Sequence, residues 1–269
     1  MKKIYIGLTA LLISATVISC KKDSIQKIDA PVDASQTAQI KYFNFGVGAP
    51  GVNFFANDVK VTGALSTAGA ETTTGTATGS VYPQSGYSVI AGGTYTIKGQ
   101  IPSTATADAN LAIATVPSTT LSNGKNYTLY MSGIYSTSQK QSDAFIVEDK
   151  LPAFNSTVAY IRFVNAISNA AQPMSLYIRS NATTTSPEAQ AANSIAYKSG
   201  SDFVAVPIGS YELYARYPSA PATNVITRNG TSVVALNGGK IYTITARGDI
   251  NVTSTTSASR PQLDFSTNR

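Results

Sequence analysis

Apolar and polar residues alternate in several short segments of the chain. In Ile40–Tyr42 and in Ile161–Phe163, two apolar residues flank a charged one, Lys41 or Arg162. Alternation with a period of two predicts strands of a sheet that has one buried and one solvated face. No long stretch shows the 3.6-residue periodicity of an amphipathic helix. The pattern therefore predicts an all-β protein in which Lys41 and Arg162 face the solvent.

The strand segments recur as a set. Four blocks appear twice in the same order, at separations of 115 to 122 residues. The matched blocks are Ile40–Asn44 with Ile161–Asn165, Val52–Phe55 with Met174–Tyr177, Gly93–Ile97 with Gly209–Leu213, and Asn123–Leu129 with Gly238–Ile244. A repeat of this length indicates a tandem duplication. Short strands separated by turn residues predict that each copy is an antiparallel β-sandwich.

The repeats divide the chain. Residues 37–150 form the first predicted module and residues 151–269 the second, with the tail segment Leu263–Phe265 as a last edge strand. Residues 62–80 and their counterpart 181–193 are polar and rich in Thr and Ala, which predicts surface loops. Such loops are either variable binding surface or tolerated insertions.

The first residues resemble a lipoprotein signal peptide, assigned here to residues 1–19. A positive start is followed by the apolar run Ile4–Val17, which is shorter than a membrane span, and then by Ser19 and the single cysteine, Cys20. The resemblance implies that Cys20 is lipidated and holds the protein on a membrane. Residues 20–36, polar and without a pattern, are predicted to be the tether.

Charge and composition exclude several functions. The formal net charge is +6, but no basic run is longer than Lys21–Lys22, whereas nucleic-acid-binding proteins concentrate positive charge on one face. We therefore expect no nucleic-acid partner. The chain has no histidine, which excludes Ser-His-Asp and Cys-His catalysis and histidine-ligated zinc.

Carboxylates and tyrosines are the remaining candidates for chemistry. The densest acidic group is Asp143, Glu148 and Asp149. These residues could supply the catalytic pair of a glycosidase, a calcium site, or a charged, exposed strand edge that discourages aggregation. We favour the charged edge. Four tyrosines at matched positions are predicted to be core residues whose hydroxyls reach a partner: Tyr95, Tyr127, Tyr211 and Tyr242. The tyrosines predicted to be available for contacts are Tyr82, Tyr87, Tyr130, Tyr135, Tyr214 and Tyr217.

The strand blocks of the second copy resemble the family catalogued as domain of unknown function 4397. The residues that carry the resemblance are Ile161–Ala166, Gly209–Tyr211 and Gly239–Thr243. Membership implies an immunoglobulin-like sandwich, so the two copies would be two such sandwiches in tandem. Domains of this family are typical of lipoproteins and other exported proteins, many from the Bacteroidetes, and the family is loosely associated with adhesion. It supplies no functional residue that can be mapped onto this chain.

The residues after Cys20 bear on location. They are Lys21-Lys22-Asp23, basic first, whereas surface lipoproteins of that phylum carry an acidic export signal, so periplasmic and surface display both remain open for an outer-membrane lipoprotein. Asp23-Ser24-Ile25 resembles the sequence at which Bacteroidetes glycosylate exported proteins, with Ser24 as the acceptor.

The sequence as a whole predicts a non-enzymatic, membrane-anchored lipoprotein of the cell envelope with an interaction or adhesion role. The alternative is a glycan-binding accessory protein of a polysaccharide uptake system, which would use exposed tyrosines and module loops. Either protein or glycan is left open as the ligand, and no cofactor or metal is expected.

Overall fold

The computed structural model describes residues 33–63, 67, 72–183 and 185–269. Strands and turns make up this part of the chain; it has no α-helix and two short 3₁₀ turns, at Ala34–Gln36 and Gly230–Ser232. The all-β prediction is confirmed. No helix among these residues is long and apolar enough to cross a membrane. The predicted signal peptide, Cys20 and Ser24 lie outside the described residues.

The strands fall into two groups along the chain. The first group, which we call the first half, contains β1 (Ala38–Asn44), β2 (Asn53–Ala56), β3 (Val59–Lys60), β4 (Ser80–Tyr82), β5 (Ser88–Ile90), β6 (Gly93–Gln100), β7 (Ala112–Leu121), β8 (Asn126–Ser136) and β9 (Gln141–Glu148). The second half contains β10 (Val158–Asn165), β11 (Met174–Ser180), β12 (Glu188–Ile195), β13 (Ser199–Gly200), β14 (Val204–Pro207), β15 (Gly209–Arg216), β16 (Asn224–Arg228), β17 (Val234–Leu236), β18 (Ile241–Arg247) and β19 (Gln262–Thr267).

Each half is built from two sheets. In the first half, sheet I has the order β4–β1–β8–β9 with β5 also paired to β1, and sheet II has the order β3–β2–β6–β7. In the second half, sheet III has the order β13–β10–β18–β19 with β14 also on β10, and sheet IV has the order β12–β11–β15–β16 with β17 also on β15. The second half thus repeats the strand pairing of the first.

One central pair in each half departs from the predicted antiparallel arrangement. Strands β1 and β8 are parallel, and so are β10 and β18, whereas the other strand pairs of the four sheets are antiparallel. A parallel pair needs a long crossover between its strands. The companion sheet supplies that crossover in both halves. The register is also shared, since Ile40 pairs with Tyr127 and Ile161 pairs with Tyr242.

Each half has its own hydrophobic core. Phe54 of sheet II and Leu129 of sheet I are almost completely buried in the first core. Leu176 of sheet IV and Ile244 of sheet III are buried in the second. The apolar residues of the strand pattern therefore face a partner sheet within the same half, as the alternation predicts.

A third cluster packs the two halves against each other. It consists of Phe43, Tyr130 and Phe145 of sheet I, Val164 of sheet III, and Phe45 and Ala166, which directly follow β1 and β10. The Tyr130 ring stacks between Phe43, with centroids 5.2 Å apart, and Phe145, 5.0 Å away. Residues 33–269 accordingly form one compact unit.

This packing overturns the expectation of a solvated face on the central strands. Lys41 is only 1% exposed and Arg162 only 2%. Both side chains point away from the core of their own half, as the alternation predicts. The face they occupy is covered by the other half rather than by water.

The predictions for the loops and the tail are partly wrong. Residues 188–193 belong to β12, an edge strand, and not to a surface loop. In the first half Thr62 is buried, and its hydroxyl accepts a hydrogen bond of 2.8 Å from the Phe54 N–H. The predicted edge strand in the tail is confirmed: β19 pairs with β18 at the edge of sheet III.

Candidate functional site

The most elaborate group of polar side chains lies between the two halves, and Arg162 is at its centre. The guanidinium Nε donates to the Thr243 hydroxyl (2.9 Å), Nη1 donates to the Glu148 carbonyl (3.3 Å), and Nη2 forms an ion pair with the Asp149 carboxylate. The guanidinium also lies 4.8 Å from the centre of the Phe203 ring. Each guanidinium nitrogen of this buried arginine thus has a partner.

Asp149 is the acceptor that balances this charge. It follows β9 directly, and its backbone N–H donates to the Asn126 carbonyl (2.7 Å), which fixes its position. Besides the ion pair with Arg162, Oδ2 accepts hydrogen bonds from the Thr128 hydroxyl (2.6 Å) and the Tyr87 hydroxyl (2.7 Å). A buried carboxylate with three donors is well satisfied.

Lys41 brings a second buried cation into the interface. Its Nζ donates to the Thr267 carbonyl (2.5 Å) and lies 5.3 Å from the centre of the Tyr87 ring. Burial lowers the pKa of Lys41 to about 8; the attraction of Asp149 opposes this change and the repulsion of Arg162 adds to it. The lysine is therefore held in a place that disfavours its charged form.

The two cations make reciprocal contacts. Lys41 and Arg162 occupy equivalent positions on β1 and β10, and they donate to carbonyls at equivalent positions at the ends of β19 and β9, Thr267 and Glu148. In an isologous interface, residue i of one partner contacts residue j of the other, and j contacts i. The contact between the halves has this reciprocal form.

Tyr87 connects the two sides of the interface. Its hydroxyl donates to Asp149 and accepts a hydrogen bond of 2.6 Å from the Asn268 amide, whose oxygen in turn accepts from the Thr243 hydroxyl (2.7 Å). Burial, and then the adjacent carboxylate, raise the pKa of Tyr87 above its usual value. The phenol stays protonated and acts as a bridge in the network.

A smaller polar group lies near the start of β9, around Asp143. Asp143 pairs with Lys198 of the second half (2.9 Å) and accepts a hydrogen bond from the Tyr197 hydroxyl (2.7 Å), which lies 3.0 Å from the Ser132 hydroxyl. Burial acts to raise the pKa of Asp143, but the hydrogen bonds from Lys198 and Tyr197 outweigh it and hold the pKa below its usual value. This group also joins the halves.

The acidic residues singled out in the sequence therefore serve the interface. Asp149 is buried and Asp143 contacts the second half, so interpreting them as a charged, exposed strand edge is wrong, although β9 does lie at the edge of sheet I. Glu148 pairs with Lys125 of its own half (3.0 Å). In the described part of the chain, no cluster of three or more acidic, cysteine or histidine side chains could hold a metal ion.

The four matched tyrosines pack against the cores, as predicted. Tyr95 and Tyr211 donate to the backbone carbonyl four residues earlier, at 2.8 and 2.9 Å. Tyr127 and Tyr242 accept from the backbone N–H five residues earlier, at 3.0 and 3.2 Å. Each hydroxyl therefore has a hydrogen-bond partner, as predicted, and the partner lies at the same position in both copies.

The tyrosines predicted to be available for contacts are less accessible than expected. Tyr130 and Tyr214 are buried, Tyr87 is part of the interface network, and Tyr82, Tyr135 and Tyr217 are only partly exposed. Tyr130 is covered because it lies in the third cluster. The guanidiniums of Arg179 and Arg216 lie over the Tyr214 ring, 5.6 and 5.3 Å from its centre, and its hydroxyl donates to Glu212 (2.6 Å). No tyrosine among the described residues is fully exposed.

One feature of the sequence does indicate the interface. A cation lies at the centre of the same strand in both copies, Lys41 in one and Arg162 in the other. A repeated cation on a central strand indicates a position with a defined partner. The predicted lipidation site, Cys20, cannot be placed, because it is outside the described residues.

Comparison with known proteins gives one family match. The model of the family described as "Domain of unknown function (DUF4397)" matches residues 38–177, just over half of the chain, from β1 into β11. Among curated proteins, none matches. A solved structure titled "The Bacillus anthracis TIE protein" is similar at 12% identity with a TM-score of 0.24, over 80% of this chain and 34% of that one. The chain thus spans about a third of the length of that protein.

Proposed function

The chain belongs to the family of domains of unknown function DUF4397, and we propose that it is a non-catalytic, membrane-anchored lipoprotein of the bacterial cell envelope with an interaction or adhesion role. The observation that carries the proposal is the interface between the halves. Its ionisable side chains bind one another, so they hold two halves in one orientation. An arrangement of this kind suits a rigid support for binding loops.

The proposal includes a tandem pair of immunoglobulin-like sandwiches, residues 37–150 and 151–269. Matched hydrogen bonds support it in addition to the matched strands. The Asn44 side chain accepts from the N–H two residues later at 3.3 Å, and the buried Asn165 side chain does the same at 3.1 Å. Gly124 and Gly239, before the matched strands β8 and β18, have φ values of +73° and +74°.

Anchoring through Cys20 is the part of the proposal that fixes location. The lipid would hold the chain on the outer membrane, and residues 20–36 would give the rigid body reach. A bacterial lipoprotein carries several acyl chains, and more than one chain is needed for stable anchoring.

The test of anchoring replaces Cys20 by Ala. We expect the wild type in the membrane fraction and Cys20→Ala in the soluble fraction or as an uncleaved precursor. Cys20→Ala retained in the membrane in mature form would contradict the proposal.

Protease treatment of intact cells, with lysed cells as the control, tests where the protein is displayed. Degradation on intact cells supports an adhesion role outside the cell. Protection until lysis places the protein in the periplasm, where it would bind a partner of the envelope and adhesion would be ruled out.

A further inference from the structure

A polar pocket opens at one edge of the second half, away from the network between the halves. It lies between β16, at the edge of sheet IV, and β19, at the edge of sheet III, and the 3₁₀ turn Gly230–Ser232 borders it. Its volume is about 520 Å³. Small-molecule sites usually measure about 300–1,000 Å³, so the pocket has room for a small ligand.

Arg228 lies at the junction of the two strands. Its Nε donates to the Ser232 carbonyl (2.8 Å) and its Nη1 to the Leu263 carbonyl (2.7 Å), so the guanidinium is fixed from both sides. Its aliphatic and guanidinium atoms are half-buried beside the Phe265 ring. Within the described chain, Nη2 has no acceptor and no carboxylate pairs with this arginine. Partial burial of an unpaired cation costs free energy.

Arg260 adds a second guanidinium to the same pocket. Its Nη1 donates to the Ser257 carbonyl (3.0 Å), and no described residue accepts from Nε or Nη2. Asp264, a carboxylate in the lining, is already in an ion pair with Arg247. Among the described residues, neither pocket arginine forms an ion pair with a carboxylate. The Asp264 charge still attracts Arg228, but burial outweighs this attraction and lowers the pKa of Arg228.

The other arginines of the described chain emphasise the contrast. Four have a carboxylate partner: Arg162, Arg179, Arg216 and Arg247. Arg269 also lacks one, but it lies elsewhere and donates to the Pro152 carbonyl. Two of the three described arginines that form no ion pair with a carboxylate thus line one pocket.

The rest of the lining is rich in neutral hydrogen-bonding groups. They are the side chains of Thr227, Asn229, Thr231, Ser232 and Gln262. Hydroxyl and amide groups both donate and accept, which matches the hydroxyls of a sugar, and guanidinium groups bind carboxylates with paired, charge-assisted hydrogen bonds. We propose that this pocket binds an acidic carbohydrate, with the carboxylate of a uronic acid on Arg228 and Arg260 and the sugar hydroxyls on the neutral side chains.

An acidic carbohydrate would be the ligand of the proposed interaction role. The inference rests on that proposed function only for the cellular location at which the protein meets this ligand. The binding site itself needs neither the lipid nor Cys20. A failure of anchoring and a failure of carbohydrate binding are therefore separate results, one measured by fractionation and the other by titration.

The test is isothermal titration calorimetry on the detergent-solubilised full chain with oligomers of galacturonate and of alginate. Neutral malto-oligosaccharides and inorganic phosphate are titrated at the same ionic strength. We expect one of the acidic oligomers to bind and the neutral sugars and phosphate not to bind. Each charge-assisted hydrogen bond lost should weaken binding by about tenfold or more. Arg228→Gln and Arg260→Gln should both show this loss, and the matched control Arg269→Gln should bind like the wild type.

Arg260→Gln keeps the test valid if Arg228→Gln lowers the melting temperature, because the Arg260 side chain makes only one hydrogen bond to the fold. The proposal is overturned if no acidic oligomer binds, if neutral sugars bind equally well, or if phosphate alone binds. Binding of an acidic oligomer that survives Arg260→Gln and Arg228→Gln unchanged would also overturn it, since the ligand would then be elsewhere.

Discussion

Removing the Asp149 carboxylate should be one of the most destabilising single changes in this protein. In Asp149→Ala, the Arg162 guanidinium stays buried without its counter-ion, and the Thr128 and Tyr87 hydroxyls lose their acceptor. Breaking a buried ion pair by removing one partner costs about 3–5 kcal/mol. Lys41 adds to the penalty, because it is a second buried cation that Asp149 attracts. We expect a loss of about 3–5 kcal/mol from a total stability that is typically about 5–15 kcal/mol.

The assay is urea unfolding of the purified protein followed by circular dichroism, with the loss read from the midpoint and the slope. Asp58→Asn is the matched control, since Asp58 makes an exposed ion pair with Lys98 (2.8 Å) and has a φ of +65°, which Asn also tolerates. An exposed pair contributes at most about 1 kcal/mol, so the control should unfold almost like the wild type.

A double variant separates the charge from the packing. Asp149→Leu combined with Arg162→Met replaces the buried ions by apolar side chains, and such replacements are often neutral or stabilising. We expect the double variant to recover part of the stability that Asp149→Ala loses, because Lys41 and the Thr128 and Tyr87 hydroxyls stay in the interface without the carboxylate. If Asp149→Ala costs no more than Asp58→Asn, the carboxylate is not the buried partner that the structure indicates, and the reasoning is refuted.

Three further predictions concern pH and the matched positions. The pKa of Lys41 is about 8 in the folded protein, below its unfolded value of 10.5. The folded state therefore loses this proton first, and the free energy of unfolding should rise with pH from about 8 towards 10. Lys41→Met should remove that rise when urea unfolding is measured at each pH, and an identical rise in the variant would contradict the assignment. Tyr95→Phe and Tyr211→Phe each delete the same hydrogen bond and should each cost about 1 kcal/mol in thermal unfolding, while a loss confined to one copy would argue against equivalence. Gly124→Ala and Gly239→Ala force a Cβ into a positive φ and should each destabilise by about 1 kcal/mol or more; a neutral result in calorimetry at either position would show that the turn can change its conformation.

Alternation along the chain predicted the strands because it reports which residues share a face. It could not tell what covers the other face. Lys41 looks like a solvated residue in the sequence, and the carbonyl that it binds belongs to Thr267, 226 residues further along the chain. Contacts at such separations depend on how the two halves pack, and a period of two carries no information about that packing.

The tyrosines show the same division. The matched pair Tyr127 and Tyr242 was predicted to be buried because both copies place an aromatic residue on the core face. Tyr130 lies on the opposite face of β8 and was predicted to be accessible, but the second half covers it. The arginine pocket could not be predicted from the sequence either, because Arg228 and Arg260 are brought together only when the edge strands of two different sheets meet.

The reciprocal contact between the halves has a consequence for how the chain can diversify. Two identical subunits around a twofold axis must place identical residues at both ends of their interface. In one continuous chain that obligation is absent: Lys41 stands where the other half has Arg162, and Asp149 stands where the other half has Asn268. One chain can therefore keep a single buried carboxylate where a symmetric pair would have to accept two or none. The same freedom lets the edge of one half change without a matching change at the edge of the other.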